Sequence, residues 1–444
     1  MASLHEWPCS SASNHKFPNF MNLFLQGGEV ATENEAPKRA DVWIVDGVIK
    51  AVGVIDAPAD ARVVDCTGQV IMPGMFDAHV HFREPGQEHK ETIYDGAESA
   101  INGGITGVVM MPNTAPSIDS PTVVKRVLDL GKKCRIPVHT SACITVNRAG
   151  EEMAPIAGLK DAGILMLTDD GDAVPNAALL KRAMEYGTEF GMFFASHCED
   201  PQLCGPRALN EGPVSYRLGI QGTPALAEEI CMDRDIRLAH ATGATLHIQH
   251  VSSAIGMETI RWWRDERGAK VSGEVSPHHL MFADEDIGDY DTHYKMNPPL
   301  RTREDNAALL QGLKDGVFRI IATDHAPHTE FEKSQAFVDA PNGISGLDTA
   351  LVSLHDRFIT TGEFGWDLLV KRYSAEPRRM MELEVAEVAE GKPADLIVFD
   401  PEKETTFTKE FMKSKSSNTP FLDKTLKGSV EMVVLGDEIL LERE

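Results

Sequence analysis

The chain is poor in basic residues: 43 Lys and Arg face 68 Asp and Glu, for a formal net charge of −25. No stretch clusters the cations that phosphate contacts require, so nucleic acid is excluded as a partner. Any anionic ligand must then be held by a local basic site. The chain also has no run of 18 apolar residues, which argues against a transmembrane helix and any membrane partner. Residues 1–20, MASLHEWPCSSASNHKFPNF, lack both a basic n-region and an apolar h-region. No secretory signal is expected there, and the segment reads as a loose extension ahead of a start at Met21. The 7 cysteines are odd in number, scattered and without CxxC spacing. That usage fits reduced thiols in a cytoplasmic protein and no disulfide framework. No GxGxxG follows the first strand of the central region, which argues against dinucleotide binding.

What is present is an ordinary globular composition, 42% hydrophobic and 25% charged over 444 residues, enough to bury a sizeable core. The length suits a barrel with a small appendage. Across 21–72, short apolar runs alternate with Gly and Asp turns (MNLFLQGGEV, ADVWIVDGVIKAVG, ARVVDCTGQV), the texture of antiparallel β structure. Residues 386–444 repeat that texture in GKPADLIVFD and GSVEMVVLGDEILL. The two ends are therefore expected to form one small β-sandwich. Between them, over 73–385, eight apolar runs stand at 75–82, 105–111, 136–144, 163–167, 192–197, 245–250, 270–275 and 318–323. Helix-like stretches such as PTVVKRVLDLGKK, NAALLKRAMEYGTEF and PALAEEICMDRDIRLAHA follow most of them. Buried runs alternating with helices predict an α/β fold, and eight of them a closed (β/α)8 TIM barrel.

His and Asp fall where these runs end, the mouth at which such barrels carry chemistry. The first run ends in DAHVHFR, so His79 and His81, two apart on a strand, face the same side. The fourth ends in Thr168-Asp169-Asp170-Gly171, the fifth at His197, the sixth at His250 and the eighth at Asp324. Taken singly, each has a bland explanation: a lone HxH can be a satisfied core pair, and TDD a loop or helix cap. Five strand ends supplying metal-ligand types in one layer point instead to His79, His81, Asp170, His197, His250 and Asp324 around one or two zinc-like ions. Cobalt or manganese suits the same donors. His139, His240, His247, His278, His279, His293 and His355 lack this convergence and are read as structural or surface residues.

The stretches DAHVHFREPGQEHKET, MPNTAPSIDS, ITVNRAGEEM, TDDG, SHCED, HVSS, GEVSPHHL, KMNPPLR, IATDHAPHT, GISGLDTA and KSSNTPF together resemble the amidohydrolase superfamily. Within it the chain is similar to the zinc-dependent dihydroorotases of the larger bacterial type, from about Met21 onward. The resemblance implies that His79, His81 and Asp324 ligate a first Zn2+, His197 and His250 a second, and that Asp170 bridges them. Hydantoinases and allantoinases usually carry a carboxylated lysine at the bridge, and GILMLTDDG contains no lysine.

The implied reaction is the reversible cyclisation of N-carbamoyl-L-aspartate to (S)-dihydroorotate, the third step of pyrimidine synthesis, through metal-activated hydroxide. Asp324 would shuttle the proton. Arg83, two beyond His81 and on the same face, is the fork expected for the substrate carboxylate, and the resemblance adds Asn113, Asn297 and His328. His325, alternating outward, is expected to support rather than catalyse. The segment 329–346 is expected to fold over the substrate; it has Asn342 where the family often has an aromatic residue, and Gly343 offers backbone contacts. A homo-oligomer and an assembly with aspartate transcarbamoylase are further implications. The alternatives are a hydantoinase-, dihydropyrimidinase- or allantoinase-type enzyme, and a silent scaffold for the transcarbamoylase.

Overall fold

A computed structural model describes residues 21–443; the extension expected at 1–20 lies outside them. The N-terminal strands are β1 (Asn22–Val30), β2 (Lys38–Val45), β3 (Val48–Gly53), β4 (Arg62–Asp65) and β5 (Val70–Pro73). The central strands follow as β6 (Met75–Val80), β7 (Ile105–Met110), β8 (Val138–Thr140), β9 (Phe194–Ser196), β10 (Leu246–Ile248), β11 (Val271–Val275) and β12 (Phe318–Ile321). Last come β13 (Asp395–Thr406), β14 (Thr425–Leu435) and β15 (Glu438–Glu442).

Both ends of the chain build one sheet, in the order β15-β14-β13-β5-β1-β2-β3 with β4 on β1. The join is antiparallel, Leu396 of β13 facing Pro73 and Phe399 facing Val70 of β5. Leu23, Leu25 and Ile44 from one end and Leu396 and Val434 from the other share an apolar core, which explains why two segments over 300 residues apart in sequence pair.

The central strands are parallel. β6, β7 and β8 form one set, and β9 to β12 another. All six residues of β6 and of β7 are buried, as in a sheet covered on both faces. The run at 163–167 does not become a ladder strand. It starts at Gly163, whose φ is 101, and only Leu167 bridges, to Ala142 beyond β8 and to Phe194 of β9. The run nevertheless links the two sets, the Leu165 N–H donating to the Thr140 carbonyl at 3.0 Å and the Ala195 N–H to the Leu167 carbonyl at 2.8 Å. At their other side Val80 bridges His325 in parallel, and the His81 N–H donates to the His325 carbonyl at 2.7 Å. Below that contact the buried Asp77 carboxylate accepts the Thr323 N–H and the Tyr373 hydroxyl at 3.2 Å.

The three helices expected from periodicity are present as Pro121–Gly131, Ala177–Glu189 and Ala225–Thr242. Others start at side-chain caps: Thr92 with Asp95 before Ile93–Asn102, and Thr302 with Asp305 before Arg303–Lys314. One buried cation ties the terminal sheet to the central strands. Arg378 donates to the Gly74 carbonyl at 2.9 Å, the Thr106 hydroxyl at 2.9 Å and the Asp395 carboxylate at 2.8 Å. Only glycine fits at 74, because a Cβ there would lie 2.3 Å from both Thr106 Oγ1 and Asp395 Oδ1. All six described cysteines are free, and no described helix is long and apolar enough to cross a membrane.

Candidate functional site

The C-terminal ends of the central strands bring the six expected metal-binding residues together. Three overlapping triads, His79-His81-Asp170, His79-His250-Asp324 and Asp170-His197-His250, have their donor atoms within 4.8 Å of one another, every residue buried. His79 Nε2 lies 3.4 Å from an oxygen of Asp170 and 3.4 Å from one of Asp324. His81 Nε2 is 2.8 Å from Asp324 and 3.3 Å from the other oxygen of Asp170. His197 Nδ1 and His250 Nε2 are 2.9 Å apart, at 4.0 and 3.6 Å from Asp170 Oδ1. Asp170 thus stands between the two histidine pairs, where a bridge is needed.

This donor set fits a divalent cation on two counts. His79 Nε2 and Asp170 Oδ1 are buried and have no hydrogen-bond partner, an expensive state without a ligand. The cluster also buries the carboxylates of Asp170, Asp324, Glu274 and Glu199 together, a concentration of negative charge that a divalent cation would offset. Burial pushes Asp324 up, but His79 and His81 outweigh it and hold it at about 2. Asp170 is likewise held well below its usual range against burial, chiefly by His79 and His81. The backbone is strained at two of the six positions, with φ of 31 at His250 and 49 at Asp324, a cost tolerated where function over-determines the geometry.

Three of the four imidazoles are aimed by a partner on the other side of the ring, while the outer Nδ1 of His250 is buried without one. Glu274 of β11 lies 2.5 Å from His79 Nδ1. Asn113 Oδ1 is 2.8 Å from His81 Nδ1, and Glu199 Oε2 is 3.0 Å from His197 Nε2. Such partners fix the tautomer and raise the basicity of a ligating imidazole.

Beside the cluster lies a cavity of about 230 Å³, lined among others by His81, Arg83, Asn113, Asn297, Asp324 and His328. Arg83 is buried, and although burial lowers it to about 10 it remains a cation at neutral pH. Its Nε donates to the Pro327 carbonyl at 3.1 Å and its Nη2 lies 3.3 Å from His328 Nε2. Burial, and then Arg83 and Lys90, hold His328 well below its usual value, so it is neutral. Asn297 Nδ2 donates to Glu199 at 2.7 Å. The expected substrate residues therefore share one cavity with all the expected ligands but His79. Asn342 and Gly343 of 329–346 line it too.

The chain is 43% identical to a dihydroorotase of Brevibacillus brevis, the match covering 95% of this chain and 100% of that one. It is 39% identical to a dihydroorotase of Carboxydothermus hydrogenoformans over 95% and 98%. A family profile described as Dihydro-orotase-like matches residues 68–255.

The chain belongs to the dihydroorotase family.

Among solved structures, an L-hydantoinase (dihydropyrimidinase) from Arthrobacter aurescens superposes with a TM-score of 0.83 at 20% identity, covering 95% of this chain and 96% of that one. The dihydroorotase-family chain therefore shares that enzyme's fold. Several residues of its site went unnoticed in the sequence. Glu274 is one, its only sequence signal being a carboxylate inside the apolar run KVSGEV. Glu199, two beyond His197, and Arg207, which lines the cavity, were also missed. His247, read as structural, reaches the same Glu274 carboxylate at 3.1 Å and so backs His79 indirectly. His325 lies 2.7 Å from Glu91 and accepts the Gly346 N–H, supporting the 346–347 turn. His139, His240, His278, His279, His293 and His355 contribute no donor to the three triads.

Proposed function

We propose that the protein is a metal-dependent cyclic amide hydrolase, a dihydroorotase. It would close N-carbamoyl-L-aspartate to (S)-dihydroorotate, and open it, in the third step of de novo pyrimidine (UMP) biosynthesis. The observation that carries this is the convergence of His79, His81, Asp170, His197, His250 and Asp324 into one cluster beside a cavity that also holds the buried cation Arg83. A hydantoin has no carboxylate for such a cation, and the bridging place holds Asp170 rather than lysine. The silent-scaffold reading predicts missing ligands, and none of the six is missing.

The reading assigns 73–385 to a closed (β/α)8 barrel, supported by the parallel bridges at Leu167 and at Val80. It assigns 21–72 and 386–444 to a joint β-sandwich and 1–20 to an extension. His79, His81 and Asp324 would hold one Zn2+ and His197 and His250 a second, with Asp170 between them. When bound, the metal supplies a water of lowered pKa and polarises the amide carbonyl. The protein's own residues do the rest. Arg83, Asn113, Asn297 and His328 hold the substrate carboxylate and ring, fixing which face meets the metal centre. Asp324, ionised at neutral pH, accepts the proton of the attacking water and returns it to the ring nitrogen as the C–N bond breaks. Neutral His328 can donate a hydrogen bond without adding charge. Asn342 and Gly343, which line the cavity, would bound the substrate as well.

The same reading places the enzyme in the cytoplasm as a homo-oligomer that assembles with aspartate transcarbamoylase, testable by light scattering with and without that enzyme. The activity test is direct. Full-length protein purified without chelators and analysed for metal should open dihydroorotate and spare hydantoin. Opening of hydantoin with dihydroorotate untouched would overturn the specificity.

A further inference from the structure

A second cavity, of about 490 Å³, lies at the opposite ends of the central strands, where Leu165, Phe193, Thr245 and Ser272 meet. Its volume falls within the roughly 300–1,000 Å³ typical of small-molecule sites. It is separate from the metal centre, sharing no lining residue with the first cavity.

The charge around it opposes that of the whole chain. In a protein of net charge −25, this rim carries Lys160, Lys270, Arg319 and Arg379 against Glu382. Arg319 and Arg379 share the Glu376 carboxylate. Lys160 and Lys270 instead donate to the main-chain carbonyls of Phe190 and Gly243, and neither meets a carboxylate among the described residues. A dipole satisfies an ammonium without neutralising it, so the rim keeps two uncompensated positive charges. Phe193, Met192, Met380 and Met381 supply an apolar and polarisable wall. At the floor His247 Nδ1 lies 2.9 Å from Ser272 Oγ.

We propose that this cavity is a binding site for a small anion with an aromatic or apolar body, its charge on Lys160 and Lys270 and its body on Phe193 and the methionines. The charge alone selects anions, and the wall alone selects flat apolar groups. Their coincidence selects molecules that carry both.

The probe is 1-anilinonaphthalene-8-sulfonate, followed by its fluorescence on full-length protein with dihydroorotate present to keep the other cavity filled. One saturable site is expected. Lys160→Glu with Lys270→Glu should weaken it at least tenfold, and Lys160→Arg with Lys270→Arg should retain it within about threefold. N-phenyl-1-naphthylamine, the same body without the sulfonate, should bind at least tenfold more weakly than the sulfonate. Both pairs of variants should keep dihydroorotate turnover, which also reports that they fold. Absence of a saturable site, equal binding by the Glu pair, or equal binding of the uncharged probe would each overturn the assignment.

Discussion

Glu274 stands behind His79 with 2.5 Å between Oε1 and Nδ1, while its second oxygen meets His247 at 3.1 Å. The same carboxylate accepts the His250 N–H at 3.1 Å, so one side chain of β11 steadies two of the six candidate metal-binding positions. A carboxylate completely buried among imidazoles is costly unless those contacts are made. Here His79 and His247 outweigh burial and hold it far below the usual carboxylate range.

Glu274→Gln should therefore weaken metal binding rather than the fold. The amide keeps one acceptor but loses the charge that makes His79 a strong donor, and loss of such an outer partner costs roughly 10–100-fold in affinity or activity. Competition of the loaded protein with a chromophoric chelator measures this, with circular dichroism checking the fold. An unchanged metal affinity would show that His79 is oriented by Gln249, 3.3 Å away, and not by Glu274.

Asp324→Asn tests the proton transfer. The substitution preserves shape but removes the base, and general base catalysis contributes roughly 10²–10⁴-fold. Turnover of dihydroorotate should drop by that order in samples whose metal content matches the wild type. Because His81 lies 2.8 Å from Asp324, metal content has to be measured on the same samples. Full turnover at full loading would mean that the base lies elsewhere.

Arg83→Lys addresses specificity. The guanidinium is fixed by the Pro327 carbonyl and by His328, leaving a planar fork that an ammonium cannot copy. A charge-assisted hydrogen bond is worth roughly 1.5–3 kcal/mol, and about 1.4 kcal/mol is tenfold. KM for dihydroorotate should rise ten- to a hundredfold while kcat changes less. A fall in kcat alone would move Arg83 from binding the carboxylate to aligning the reacting amide.

The convergence of the six candidate metal-binding residues was legible in the sequence because strand periodicity and strand ends are local properties. His79 and His81 share a face by spacing alone, and TDDG and SHCED sit where their runs stop. Glu274 was not legible, since its partner His79 is 195 residues away and only the closed arrangement of strands puts them side by side. The run at 163–167 reads as a strand on composition and does hydrogen-bond to both neighbours, yet only Leu167 forms bridges, because backbone pairing depends on what the neighbours offer. Pairing of the two chain ends was visible as shared texture. The Arg378 junction that fastens them to the central strands was not, since it needs Gly74, Thr106 and Asp395 together.

The segment 329–346, which lines the cavity through Asn342 and Gly343, carries a pH dependence of defined sign. Lys333 Nζ donates to the carbonyls of Pro341 at 3.0 Å and Gly343 at 3.1 Å, and Gly343 lines the cavity. Burial, and then the neighbouring Lys295, lower the Lys333 amine from 10.5 to about 7. The unfolded chain keeps that proton up to about 10.5, so between about 7 and 10 it binds more protons than the folded chain. Stability from this group then rises with pH across that window and is constant below it. Comparison with Lys333→Met isolates the effect from every other titration. In urea unfolding, the stability of the wild type relative to the variant should increase as pH is raised from about 7 toward 10. A difference that stays flat would mean that the Pro341 and Gly343 carbonyls hold Lys333 protonated in the fold, and that the loop is closed over an ammonium rather than an amine.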